Sequence, residues 1–218
     1  MSTSLSLQAY DFEQVVDEIY HLNWEGLSED EMVSAAWAYY YFSIQFRESL
    51  KLAVAFRPDD ANLRKLDAEE CDTANLSPYP GVAAPDERMN HDEFMRRVLT
   101  LTPIDTASRA QLEALGDIYL TKTRNADDMA RALSIASYED GGLERVFKGM
   151  LKAPDYDHPL LAAFRFFLTE HIRFDSDADA GHGALARHMR PDDRVLPLWT
   201  AFKDVLVSSA PGLLIRKG

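Results

Sequence analysis

The sequence predicts an all-α fold, a bundle of about seven to eight helices. Apolar residues recur at spacings of three and four along nearly the whole chain, which is the period of a helix face packed against a core. Alternating runs typical of half-buried strands are almost absent, and no internal repeat or low-complexity segment breaks the pattern. The 218 residues are therefore expected to form one helical domain, residues 1–218.

The first three helices have recognisable boundaries. "FEQVVDEIYHLN" predicts the first helix, and Ser28 with Glu31 forms a capping box that opens a long second helix ending near "RPDD". "DDANLRKLDAEECDTAN" is predicted to be the third helix, capped by Asp59 or Asp60. The following "LSPYPGVAAPDERMN" contains three prolines and a glycine, so it is predicted to be a loop.

The helical period then resumes and continues to the end of the chain. The remaining predicted helices are "HDEFMRRVLTL", "TASRAQLEALGDIYLTKTRN", "NADDMARALSIASYEDGGLERVFKGMLKA", "HPLLAAFRFFLTEHIRF" and "PLWTAFKDVLVSSA". Gly141 and Gly142 predict a bend inside the third of these segments, because glycine weakens a helix interior.

Composition excludes several classes of function. The net charge is −13 with acidic residues scattered along the chain, so a nucleic-acid backbone would be repelled. The longest apolar stretch, "AAWAYYYF", is far too short to span a bilayer, and the N-terminus lacks a signal-peptide pattern. The single cysteine fits a reducing compartment. These features predict a soluble cytoplasmic protein without nucleic-acid or membrane partners.

Some motif-like features are better explained by ordinary structure. Glu18 and His21 form the only Glu-x-x-His tetrapeptide, which a sequence this acidic produces by chance. Cys71 has no histidine near it in sequence and is more typical of a small buried apolar residue. The aromatic run from Tyr39 to Phe46 indicates core packing, and no glycine-rich phosphate loop is present.

Two carboxylates and two histidines lie on the predicted inner faces of separate helices. They continue apolar stripes at helical spacing: Glu70 with Leu63 and Leu66, His91 with Phe94, Met95 and Val98, Glu139 with Leu133, Ile135, Ala136 and Tyr138, and His171 with Phe164, Phe167 and Leu168. Glu69, in contrast, lies about 100° around its helix from Glu70. Asp175 follows His171 one turn later, and His182 comes after an acidic turn.

Each of these residues alone has an ordinary explanation as a salt-bridged or hydrogen-bonded core group. Several ionisable groups buried together cost several kcal/mol apiece unless they are paired or bind a metal. Mixed imidazole and carboxylate ligands suit iron, manganese or zinc. The pattern therefore predicts a metal site inside the bundle.

The order Glu, His, Glu, then His-x-x-x-Asp and a further His resembles the heme-oxygenase-like di-iron oxidases. The resemblance covers most of the chain. "AWAYYYFSIQFRESLKLAVAFRPDD" is similar to the early aromatic helix of that family, and "NLRKLDAEECD" to its Asn-Leu helix ending in Glu. "ALSIASYE" resembles its Tyr-Glu signature, and "HIRFDSDADAGHGALA" resembles a subgroup with an acidic turn before His-Gly.

The resemblance implies a heme-oxygenase-like bundle that binds two Fe(II) ions, with manganese or zinc as alternatives. One iron would take Glu70, His171 and Asp175, and the other His91 and His182, with Glu139 bridging or shared. His182 stands seven residues beyond Asp175, where the family usually has three, and Ala178 occupies the usual position. Asp179, three residues before His182, is therefore an alternative to Asp175.

The implied activity is oxidation of a small organic substrate, such as an amino acid, an amine or a fatty acid, by O₂. Tyr40, Tyr41, Phe166 and Phe167 are candidate pocket walls, although ordinary core packing is the favoured explanation. Arg173 or Arg165 is a candidate to hold a substrate carboxylate. A homodimer is compatible with a helical fold of this kind.

Two alternatives remain open. One is a metal-free ligand-binding or interaction protein with the same helical fold, favoured by the long segment between His171 and His182. The other is a thiaminase-like hydrolase with Cys71 as its nucleophile.

Overall fold

The computed structural model describes residues 11–74, 76–175 and 181–214, and for Asp175 it describes the backbone. Within these ranges the regular secondary structure is helical, and the only β-type pairings are two isolated bridges. The helices are α1 Phe12–Tyr20, α2 Glu29–Phe56, α3 Ala61–Glu70, α4 His91–Val98, α5 Thr106–Arg124, α6 Asp128–Ser137, α7 Leu143–Met150, α8 Pro159–Asp175, α9 His182–Ala186 and α10 Leu196–Ser209. The all-α prediction is confirmed.

The number of helices is slightly higher than predicted. A kinked turn at Tyr138–Gly142, in which Asp140 and Gly141 have non-helical backbone angles, joins α6 to α7. Counted as one interrupted helix, the two bring the number of helices in the described residues to nine. The bend predicted at Gly141 lies in this turn, where Gly141 has a φ of 91° that residues with a Cβ rarely adopt. The additional helix is α9, which has only five residues and carries no clear periodic signal.

Helix α2 is the central element of the bundle. Ser28 and Glu31 form the predicted capping box, which satisfies the free backbone N–H groups at its start. Helices α3, α4, α5, α6, α8 and α10 all pack against it. Its aromatic residues, including Phe42, are buried on the inner side, and burying such a ring contributes about 1.5–3 kcal/mol. This explains why a long, mostly apolar helix is stable at this position.

The residues that flank helix α3, Asp60 before it and Cys71 after it, determine where the helix begins and ends. The side chain of Asp60, one of the two predicted caps, accepts hydrogen bonds from the backbone N–H groups of Asn62 and Leu63. The helix ends at Glu70 because Cys71 is extended and Asp72 has a φ of 49°. Glu70 is therefore the last helical residue before the long loop.

The loop between α3 and α4 is closed at its base. Thr73 and Met89 form an isolated antiparallel bridge with two backbone hydrogen bonds, and Asp72 donates its N–H to the side chain of Asn90. The bridge holds the ends of the loop together, and the entropic cost of closing a loop grows only slowly with its length. The last residue of α3 and the first residue of α4 are consequently neighbours in space.

Helices α9 and α10 pack against different elements. Helix α9 packs against α3 and against the kinked turn that follows α6. Helix α10 then packs along α2, α5 and α1 on the far side of the bundle. Among the described residues, no helix combines the length and the hydropathy needed to cross a membrane.

Candidate metal centre

Glu70 and His91 lie side by side where the closed loop brings α3 and α4 together. Oε2 of Glu70 lies 2.7 Å from Nδ1 of His91, and the two side chains are only 5% and 12% exposed. Nε2 of His171, on α8, lies 3.3 Å from the same nitrogen of His91. One ligand atom from each of the three residues lies within 4.8 Å of the other two. Three helices thus direct polar atoms to one point.

The orientation of His171 leaves one nitrogen suited to bind a cation. Its Nδ1 lies 3.0 Å from the carbonyl oxygen of Phe167, one turn earlier in α8. A carbonyl oxygen can only accept, so Nδ1 carries the proton and Nε2 keeps its lone pair. The ring of Phe167 lies 4.1 Å from that of His171, centroid to centroid, and limits its rotation. The lone pair on Nε2 therefore faces His91 and Glu70.

His182 and Glu139 approach from the other side. Nδ1 of His182 lies 2.9 Å from Oε1 of Glu70 and 3.4 Å from Oε2 of Glu139, and its side chain is 2% exposed. Glu139 lies in the kinked turn that joins α6 to α7. A Cβ on Gly183 would lie 2.9 Å from the carbonyl oxygen of Glu139, so glycine permits α9 to pack closely enough to deliver His182.

Glu70 occupies the middle of the arrangement. Its Oε2 faces His91, which in turn contacts His171, and its Oε1 faces His182, which also contacts Glu139. A carboxylate with each oxygen directed at a different set of donors can bridge two cations. Two groups of potential ligands therefore share Glu70.

The electrostatic environment keeps Glu70 ionised. Burial alone opposes the charged form, but the rings of His91 and His182 donate hydrogen bonds and positive charge to the carboxylate. Together they outweigh the desolvation and hold the pKa of Glu70 well below its ordinary range. An ionised carboxylate is the form that binds a metal.

Two cavities meet at this cluster. The inner one has a volume of about 20 Å³, enough for about one water molecule, and is walled by aromatic residues of α2 together with Glu70, His91 and His171. The outer one has a volume of about 110 Å³ and is lined by Leu76, Ser77, His91, Glu170, His171, Arg173, Phe174 and His182. A larger groove of about 730 Å³ beside α1 contains none of the cluster residues.

Five of the six residues predicted to bind metal come together, since Glu70, His91, Glu139, His171 and His182 form a continuous series of contacts. The backbone of Asp175 forms the end of α8, but its side chain lies outside the described residues, as does all of Asp179.

The grouping of these residues differs from the expected partition. His91 lies with His171 rather than with His182, and Glu70 rather than Glu139 holds the shared position. Helical periodicity indicates which face a side chain occupies, but not which neighbour it meets, and this explains the difference.

The walls of the cavities also differ from the sequence prediction. The inner cavity is walled by Tyr39, Phe42 and Phe46, whereas Tyr40 and Tyr41 do not line either cavity. The exposed periphery of the outer cavity includes Arg173, which pairs with Glu170 at 3.0 Å.

Neither cavity is lined by the remaining candidates, Arg165, Phe166 and Phe167. Arg165 donates to the carbonyl oxygen of Ala153, away from the cluster. Of the two phenylalanines predicted as walls, Phe167 packs on His171 and Phe166 contacts Tyr79.

Sequence reasoning placed Glu69 outside the site. Its Oε2 nevertheless lies 3.6 Å from Nε2 of His182, because α9 covers the flank of α3 that Glu69 occupies. In the sequence, the only indication that Glu69 lies near the site is its position next to Glu70 at the end of α3.

Cys71 has the properties of a buried structural residue. It is 8% exposed, and burial together with the nearby Asp67 carboxylate raises the pKa of its thiol to about 12. Very little thiolate is present at neutral pH, which argues against a nucleophilic role. His21 is exposed on α1 and hydrogen-bonds to the carbonyl oxygen of Asp17, far from the candidate centre.

No family model, no curated protein and no solved structure matches this chain in sequence or fold comparisons. The class that the described residues define is therefore an all-helical protein with a buried Glu/His cluster suited to a metal ion.

Proposed function

We propose that this protein is a non-heme, heme-oxygenase-like di-iron oxidase that uses O₂ to oxidise a small organic substrate. The observation that carries the proposal is the convergence of Glu70, His91 and His171 from three helices, with Glu139 and His182 beside them. The order of these residues along the chain agrees with the resemblance described above.

The donor set fits a metal ion of this type. Ligand atoms about 2.0–2.2 Å from one cation lie about 3.0–3.4 Å from their neighbours, and the His91 to His171 separation of 3.3 Å falls in that range. The 2.7 Å contact between Glu70 and His91 would lengthen by a few tenths of an ångström. Mixed carboxylate and imidazole donors suit iron, with manganese or zinc as alternatives.

Iron held by these residues would supply the O₂ chemistry. The protein itself orients the ligands: the carbonyl oxygen of Phe167 fixes the proton of His171 on Nδ1, and the close contact at Gly183 positions His182. The aromatic residues of α2 wall the inner cavity, which has room for about one water molecule. The outer cavity, which is walled by the three histidines, offers room for part of a small substrate.

A second candidate function is a metal-free ligand-binding protein. It is favoured by the direct contacts of Glu70 with His91 and His182, at 2.7 and 2.9 Å, because these ion pairs satisfy the buried carboxylate without a cation. In that case the outer cavity would bind an organic ligand, and the histidines would serve only to hold the bundle together.

The two candidates differ in their metal content. The test is to titrate chelator-treated protein anaerobically with Fe(II), to measure bound iron by elemental analysis, and then to add O₂ and record visible spectra. We expect close to two irons per chain in the wild type and a marked loss in His171→Ala. His21→Ala is the matched control, because His21 is exposed and distant from the cluster, and it should retain the wild-type iron content.

The proposal fails if the wild type binds no stoichiometric iron, or if His171→Ala binds as much as the wild type. A thermal shift with small organic ligands that persists under chelation would then favour the ligand-binding candidate.

A further inference from the structure

The two ring nitrogens of His182 face different acidic residues. Nδ1 lies 2.9 Å from Oε1 of Glu70, whereas Nε2 lies 3.6 Å from Oε2 of Glu69. Glu69 and Glu70 are consecutive residues at the end of α3, so their side chains leave the helix in directions about 100° apart. Helix α9 places the His182 ring between these two directions. The group beside Nε2 therefore influences which way Nδ1 points.

The position of the Glu69 carboxylate favours an interaction with that ring. Oε2 of Glu69 is buried and has no hydrogen-bond partner among residues 11–74, 76–175 and 181–214, although the side chain as a whole is 25% exposed. Its other oxygen, Oε1, lies 3.7 Å from Nζ of Lys65 on the more exposed side of the helix. Leaving a buried carboxylate oxygen without a donor is unfavourable, and a small rotation of Glu69 would bring Oε2 within hydrogen-bond distance of Nε2.

We propose that Glu69 is a positioning residue that accepts a hydrogen bond from Nε2–H of His182. When a cation replaces the Nδ1 proton that His182 donates to Glu70, the remaining proton stays on Nε2 and the lone pair on Nδ1 is directed at the cation. This inference rests on the proposed metal site, because that lone pair is the one a cation would use. A histidine that binds a metal through one nitrogen usually donates the other N–H to a carboxylate, carbonyl or water, which fixes both its tautomer and its orientation.

Glu139 does not serve the same purpose. Its Oε2 lies 3.4 Å from Nδ1, the nitrogen that also faces Glu70, so Glu139 belongs to the group of potential ligands. Glu69 lies across the ring from that group. The two carboxylates consequently have different roles, and removing each should have different effects.

The experiment compares Glu69→Ala and Glu69→Gln with Asp67→Asn. Asp67 is a carboxylate on the same helix with similar exposure, but it pairs with Lys51 at 2.8 Å. Cobalt affinity is measured by titration of chelator-treated protein, and long-range ¹H–¹⁵N spectra of labelled histidines report the tautomer of each ring. In the zinc-loaded wild type, where the metal replaces the Nδ1 proton that His182 otherwise donates to Glu70, we expect His182 to carry its single proton on Nε2. Glu69→Ala should lower cobalt affinity about tenfold to a hundredfold, and Asp67→Asn should change it less than about twofold.

The spectra separate this inference from the proposed function. Glu69→Ala should move the His182 signals, and its Nε2–H should exchange faster with solvent, while the His91 and His171 signals stay in place. Glu69→Gln retains an acceptor oxygen, so its His182 signals should move less than those of Glu69→Ala. Because it also retains the size of the side chain, it tests the same contact if the alanine variant does not fold.

His182 signals that are the same in wild type and both variants would overturn the role of Glu69, even if the wild type binds metal. If the wild type binds no cobalt, the proposed metal site fails. The His182 spectra of the chelator-treated protein then still decide whether Glu69 contacts the ring.

Discussion

Oε1 of Glu70 lies 2.9 Å from Nδ1 of His182, although the first residue ends α3 and the second begins α9. The other oxygen of the same carboxylate contacts His91 at 2.7 Å. Glu70 therefore connects the loop junction between α3 and α4 to the short helix that covers the site. The position of α9 should consequently control one side of the candidate centre without affecting the other.

A buried polar network elsewhere in α2 should contribute more to stability than to metal binding. Oε1 of Gln45 accepts from the hydroxyls of Tyr119 and Tyr138, each at 3.3 Å, and its Nε2 donates to the hydroxyl of Ser49 at 2.7 Å. Gln45 is fully buried. Gln45→Leu removes the shared partner of three groups, so we expect the free energy of unfolding to fall by about 3 kcal/mol, as measured by urea denaturation.

Tyr119→Phe is the control for that network. It removes one hydroxyl while Gln45 keeps the contact with Tyr138, so its expected effect is about 1 kcal/mol. If the two variants lose the same stability, Gln45 is not the shared acceptor of the network.

Lowering the pH should weaken the ion pairs that Glu93 forms with Arg96 and Arg97 in α4. The hydrogen bond from the guanidinium of Arg96 is the largest influence on the pKa of Glu93, and it lowers that pKa. Partial burial raises the pKa, and Arg97 lowers it further. The net result is a pKa of about 2, against an ordinary value of 4.5. A carboxylate whose pKa is lowered by folding stabilises the protein above its unfolded pKa, and this contribution is lost as the pH falls from about 4.5 to about 2.

Glu93→Gln should therefore lower the free energy of unfolding at pH 7 by about 1 kcal/mol, because these ion pairs are partly exposed and screened by solvent. Urea denaturation of wild type and variant between pH 7 and pH 2.5 measures the difference. It should shrink steadily below pH 4.5. A difference that stays constant over this range would mean that the loss comes from packing rather than from the charge.

The single thiol should be chemically inert in the folded protein. Burial first, and the Asp67 carboxylate second, raise the pKa of Cys71 to about 12. A disulfide-exchange reagent at pH 8 should therefore react with Cys71 far more slowly in the native protein than in urea. Cys71→Ala should bind iron like the wild type. Rapid labelling of Cys71 in the native protein, or an activity that depends on Cys71 but not on iron, would contradict this prediction and favour the hydrolase with Cys71 as its nucleophile.

The helices were largely predictable, because an apolar face repeats at a helical period whatever the helix packs against. The capping box at Ser28 and the bend at Gly141 followed from local chemistry in the same way. The inward direction of Glu70 also followed, since it continues the stripe of Leu63 and Leu66, all three of which are buried. Such features depend only on residues within a few positions of one another.

The contacts between helices were not predictable by the same means. Nothing near Glu69 in sequence indicates that α9 covers its side of α3, and α9 is too short to show a period. The pairing of His91 with His171 depends on how the α3–α4 loop closes, and that closure comes from the bridge between Thr73 and Met89. The residues of the site could therefore be named from the sequence, but their partners could not.

A methyl group at position 183 should move α9 away from the candidate centre. In Gly183→Ala the new Cβ would lie 2.9 Å from the carbonyl oxygen of Glu139, a backbone atom that cannot easily yield, so His182 would be displaced. We expect cobalt affinity to fall about tenfold or more. Gly149→Ala is the matched control: its Cβ would lie 3.1 Å from Trp24, between α7 and α1, so it should lower stability by about 1–3 kcal/mol without changing cobalt affinity. If both variants bind cobalt like the wild type, His182 does not contribute to the site.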